Sequence, residues 1–101
     1  MTAVMRKKWV GQPPEAICED WRRRGFSCDV WIDPPGRCWE DFVHAVDELV
    51  TPLDGPMEFE IDGEVYHLDP GDEAFIPAGA LHSARNRSHQ TVRWLYGYRS
   101  S

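Results

Sequence analysis

The 101 residues suffice for one domain and are too few for two, since domains typically run to ~50–250 residues. The chain is 42% hydrophobic and 28% charged, with eight Gly and eight Pro, which reads as a soluble globular unit rich in turns and excludes a disordered tail or a collagen-like repeat. Seventeen Asp and Glu against eleven Lys and Arg leave a formal charge of -6, so diffuse attraction to nucleic acid or to an anionic membrane is excluded as a binding mode.

No apolar run approaches the ~20 residues of a membrane-spanning helix. The charged N-terminus is followed by Gly11-Gln12-Pro13-Pro14 where a secretory signal would need an apolar stretch. Cys18, Cys28 and Cys38 are odd in number and lack a Cys-x-x-Cys pair. That spacing predicts three buried, reduced thiols in a cytoplasmic protein.

In chain order, the first element predicted is a helix over 13–24. Prolines suit its first turn, Glu15 and Glu19 lie near its positive end, and Gly25 can cap it. The triplet Arg22 to Arg24 complements the negative end of the helix dipole, a simpler reading than phosphate binding. Ile17 and Trp21, four residues apart, form a narrow apolar stripe. After Gly25 the pattern changes to short β-type runs broken by Pro and Gly, which predicts an all-β barrel or sandwich. The runs are Phe26 to Ile32, Cys38 to Val46, Glu48 to Leu53, Met57 to Ile61, Glu64 to Leu68, Ala74 to Pro77, a segment from His82, and Thr91 to Tyr98. Within 38–46, alternation places Phe42, His44 and Val46 on one face. Asp62-Gly63 joins two runs as a tight hairpin turn, with Met57, Phe59 and Ile61 buried and Glu58 and Glu60 on the wet side.

Charge is unevenly spread. Fourteen acidic residues and one basic residue lie between Asp29 and Glu73, whereas Arg85 to Arg99 holds four basic residues and no acidic one. Strands from the two blocks should attract each other, with most carboxylates on wet faces and Arg85 and Arg87 turned outward.

The segment Gly71 to Asn86 contains Gly71, Pro77, Gly79, His82 and Asn86 in the spacing G-x5-P-x-G-x2-H-x3-N. At average residue usage, five such matches arise by chance on the order of 10⁻⁵ per chain of this length. This segment resembles the second signature of the cupin superfamily. The first signature, G-x5-H-x-H-x3-4-E-x6-G, is degraded: His44, Glu48 and Gly55 fit, but Phe42 stands at the first His position. The resemblance spans about half the chain and implies a single cupin-type double-stranded β-helix, or jelly-roll barrel, over 26–101, with an N-terminal arm and short helix over 1–25.

Carried over residue by residue, the resemblance implies a divalent metal held by His44, Glu48 and His82. Two imidazoles and a carboxylate suit Fe, Mn, Ni, Co or Zn. Glu40, two residues before Phe42, is a weaker substitute for the lost ligand, and His67 and His89 read as surface residues. Trp39, Phe42, Phe59, Trp94 and Tyr96 are the candidate pocket-lining residues, with Tyr98 on the same strand face. The resemblance thus implies a metal-dependent protein, an oxygenase or isomerase acting on a small organic molecule, and the alternative is a metal-free module that binds or senses a small ligand. It also implies a homodimer, for which the basic, aromatic C-terminal strand could provide an edge.

Overall fold

The computed structural model describes residues 2–100. Among these, one helix and nine strands run in the order β1 (Ala3–Met5), α1 (Pro14–Arg23), β2 (Asp29–Asp33), β3 (Cys38–Phe42), β4 (Glu48–Pro52), β5 (Met57–Ile61), β6 (Glu64–Leu68), β7 (Glu73–Ile76), β8 (His82–Arg85) and β9 (Val92–Tyr98). The strands form two antiparallel sheets, β1-β7-β4-β9-β2 and β3-β8-β5-β6. Two facing antiparallel sheets with a single short helix form a jelly roll, the all-β architecture expected from the strand pattern.

The main core lies between the sheets. Val50, Phe59, Ile61, Ile76 and Val92 meet there, drawn from both layers. A second cluster covers the outer face of the five-stranded sheet, where Ile17 and Trp21 of α1 pack on Leu49 and Leu95. Covering both faces explains why all five residues of β4 are buried, although the sequence alternates poorly there. Each large apolar side chain so enclosed contributes roughly 1.5–3 kcal/mol. Close passage of the segment after the helix also demands Gly97, since a Cβ there would overlap the Ser27 carbonyl and crowd the Trp21 ring.

The helix α1 lies one residue inside each predicted bound, with Pro13 as its N-cap and Arg24 as its C-cap. Gly25 follows at φ +87°, a left-handed conformation open to glycine at little cost. The short β1, which pairs with β7, has no counterpart among the predicted runs, because three residues carry no periodicity.

Four expectations are corrected. Cys18 and Cys28 form a disulfide between α1 and the approach to β2, and the remaining free thiol, Cys38, is exposed. Ten residues of separation hid a pair that the fold brings together, and a cytoplasmic setting loses its cysteine support. The alternation predicted over 38–46 stops at Phe42, because a β-bulge at Asp41, with φ +60°, shifts the β3–β8 register and the chain then crosses to the other sheet. The C-terminal strand β9 lies between β4 and β2, so it is no edge; the five-stranded sheet ends in β1 and β2. Finally, most carboxylates stay out of the core as expected, but Glu58, expected on the wet side, is buried, as are Asp33, Asp72 and Glu73 along with Glu48.

Attraction between the charge blocks is visible in specific pairs. Arg85 faces outward as expected, but it is enclosed by Glu40, Glu58 and Glu60 at 2.8–2.9 Å. Arg87 adds a second bond to Glu58, Arg93 pairs with Asp54 and Arg99 with Asp47. Among the described residues no helix is long and apolar enough to cross a membrane.

Candidate metal centre and aromatic cavity

Glu48 begins β4 and His82 begins β8, on opposite sheets, while His44 sits in the crossover between β3 and β4. The His44 carbonyl accepts a hydrogen bond from Gly79 N–H, which ties this crossover to the turn preceding β8. The three side chains bring one ligand atom each within 4.8 Å of one another. Glu48 Oε1 lies 3.3 Å from His82 Nε2 and 3.7 Å from His44 Nε2. It is buried and accepts no hydrogen bond from any described residue.

The tautomers sharpen this geometry. His82 Nδ1 lies 3.0 Å from the Ala80 carbonyl, so the proton belongs on Nδ1 and the Nε2 lone pair faces the carboxylate. Tyr98 lies with its hydroxyl 3.4 Å from His44 Nε2, where the O–H can donate to that nitrogen and leave it as a second acceptor. Glu48 Oε1 and the His82 Nε2 lone pair, both buried, repel one another unless a cation or a proton lies between them. Burial works against a charged His82, yet the neighbouring Glu48 carboxylate and the Ala80 carbonyl hold its pKa above the ordinary histidine value. Burial, with help from Glu48 and Tyr96, pushes the Tyr98 phenol up to about 12, so it remains a donor at neutral pH. The donor set and the orphaned oxygen fit a divalent transition metal.

Phe42 pairs with His82 across β3 and β8 and stacks on His44 with centroids 6.2 Å apart. Gly36 stands six positions before Phe42, so the first motif keeps its glycine spacing and only the imidazole is replaced. Glu40 is held by Arg85 on the outer face of the sheet and does not join the group. His67 is exposed, as is His89.

A cavity of about 260 Å³ opens over the three ligand side chains, lined also by Trp39, Phe42, Phe59, Trp94, Tyr96 and Tyr98. Trp31 lines it too, and sequence reasoning missed it because its run was read only as a strand. The walls are tied together from behind by buried Asp33. Its Oδ1 accepts the indole N–H groups of Trp31 and Trp39 at 3.0 and 2.8 Å, and its Oδ2 accepts that of Trp94 at 2.9 Å. No local pattern distinguishes Asp33 from the other acidic residues of its block. Asn86, the last position of the second motif, is fully buried and donates to the carbonyls of Asp33, Pro34 and Gln90. It therefore braces the loop beneath the aromatic wall and does not reach the metal group.

A family model described as Cupin domain matches residues 29–98, and the chain belongs to the cupin family. It is 52% identical over 44 residues to a quercetin 2,3-dioxygenase of Bacillus subtilis (strain 168), a stretch covering 44% of this chain and 13% of that protein. It is 46% identical over 50 residues to an uncharacterized protein of Aquifex aeolicus (strain VF5), covering 48% of this chain and 41% of that one. Both curated relatives are thus matched over less than half their length. Among solved structures, TT1209 from Thermus thermophilus superposes with a TM-score of 0.67 at 29% identity, covering 73% of this chain and 72% of that one.

Proposed function

We propose that the protein holds a divalent transition metal through His44, Glu48 and His82 and binds a small organic molecule in the aromatic cavity above it. The observation that carries this reading is Glu48 Oε1, buried and unpaired between two imidazole nitrogens. Bound there, the metal would supply Lewis-acid or oxygen-activating chemistry, with coordination positions left open by a three-ligand protein set. Tyr98 would give up its bond to His44 Nε2 when that lone pair is taken, and its hydroxyl would then be free to donate to the bound molecule. The aromatic walls would exclude water and orient the molecule over the ligands. An oxygenase or isomerase reaction is the activity this arrangement supports, and the partial likeness to a quercetin 2,3-dioxygenase favours the former.

A metal-free ligand-binding module is the second reading, favoured by Phe42 lying where another imidazole would complete the set. Metal content decides between them. Wild-type protein incubated with Fe(II), Mn(II), Ni(II), Co(II) or Zn(II) and desalted should retain close to one ion per chain, and His82→Ala should retain far less. Well under one ion with every metal would sink the first reading, and retention by the His44→Ala/His82→Ala double variant would place the metal elsewhere. A homodimer is part of the proposal: β2 is an edge strand whose Val30 and Ile32 are exposed. Light scattering that gives the mass of a single chain at micromolar concentration would remove it.

A further inference from the structure

The cavity has a charge and a shape that name a class of ligand, and this inference rests on the cavity being the ligand site. Several of its walls are ring faces set at steep angles. Trp31 meets Trp39 at 74° and Tyr96 at 79°, and Trp94 meets Phe59 at 81° and Tyr96 at 59°. Such walls form a box. A flat aromatic ligand needs two parallel faces about 7 Å apart, twice a van der Waals contact. The stacked pair here, Phe42 and His44, is closer than that, at 6.2 Å. At about 260 Å³ the space is also at the small end for ligand pockets, so it suits a compact group.

The electrostatics favour a positive one. Among the described residues no Lys or Arg lines the cavity. Asp33 lies behind the indoles with no cationic partner among its bonds, and its charge is separate from that of Glu48, which a bound metal would neutralise. Three N–H groups donating to one carboxylate draw the polar edges of the indoles toward Asp33 and push electron density into the rings, which strengthens the attraction of their faces for a cation. The Trp39 ring already takes a cation: the Arg37 guanidinium, which is not part of the cavity wall, lies 5.2 Å from its centroid. Trp31, two-fifths exposed, keeps the box open to solvent.

We propose that Trp31, Trp39, Trp94 and Tyr96, held in place by Asp33, form a cage for a compact methylated cation, the onium group of a quaternary ammonium compound. The test compares choline with its neutral carbon isostere, 3,3-dimethylbutan-1-ol, by quenching of tryptophan fluorescence and by calorimetry on the protein as purified. Choline should bind at least tenfold more tightly than the isostere. Asp33→Asn, which removes the charge and turns an acceptor into a donor, should cut that preference below threefold. If near-UV circular dichroism shows that this variant has lost its fold, Trp31→Leu at the exposed rim should lower the preference at least threefold. Equal affinities, no saturable response to millimolar choline, or a preference untouched by the folded variants would overturn the inference. Metal content is read on the same samples. Choline preference in protein that takes up no metal removes the metal centre and leaves the cage; metal uptake without the preference does the reverse.

Discussion

Replacing Glu73 should expose how the N-terminal helix is fastened to the barrel. Glu73 lies on the outer side of β7 with a side chain only 2% exposed. Its Oε1 accepts the indole N–H groups of Trp21 and Trp9 at 2.8 and 2.9 Å, and its Oε2 accepts Arg24 Nη2 at 3.0 Å. Lys8 adds a longer contact of 3.4 Å. Arg24 is about a third exposed and can turn to water, so its lost bond costs little. Trp21 is fully buried, and its orphaned N–H costs about 1–3 kcal/mol. Adding the weaker loss at Trp9 and the cavity left by the side chain, Glu73→Ala should destabilise by about 2–4 kcal/mol. Glu73→Gln keeps an acceptor for the indoles but sets an amide donor against the guanidinium, so about half that cost is expected.

The pH dependence carries the sign. Burial alone would raise the Glu73 pKa, but bonds from Arg24, Trp9 and Trp21, with the charge of Arg24, hold it below the usual glutamate value. A depressed folded pKa means that the contribution is complete above the unfolded value of about 4.3 and fades as pH falls through the folded one. Urea denaturation from pH 7 down to about pH 3 should therefore show a wild-type advantage over Glu73→Gln that is flat near neutrality and shrinks in acid. An advantage under about 1 kcal/mol at pH 7, or one that ignores pH, would refute the reasoning.

Two further outcomes follow from the same structure. The Cys18–Cys28 bond closes a short loop, with a sequence separation of 10, and chain entropy assigns it about 2.8 kcal/mol. Dithiothreitol, or the Cys18→Ala/Cys28→Ala double variant, should lower the urea midpoint accordingly, and thiol titration of the unfolded, unreduced chain should find one free group; three would contradict the bond. Phe42→His restores an imidazole beside His82 and His44 and should tighten retention of Zn(II) at least tenfold in a chelator competition, whereas unchanged affinity would show that position 42 does not reach the metal.

The strand runs, the Asp62-Gly63 hairpin and the second motif were legible because each depends on residues close in sequence. Alternation, turn chemistry and the spacing from Gly71 to Asn86 are local quantities, and they were enough to name an all-β barrel and to single out His44, Glu48 and His82 by resemblance. The failures share one cause. The Cys18–Cys28 bond, the bulge at Asp41, the interior place of β9 and the three-indole clamp at Asp33 all depend on partners brought from elsewhere in the chain. Trp31, Trp39 and Trp94 meet Asp33 only because β2 pairs with β9 and the loop after β2 carries the chain to the other sheet. Among seventeen acidic residues, composition alone cannot say which few leave water. That choice belongs to the tertiary structure, because a carboxylate can be buried only where the fold delivers enough donors to replace its hydration.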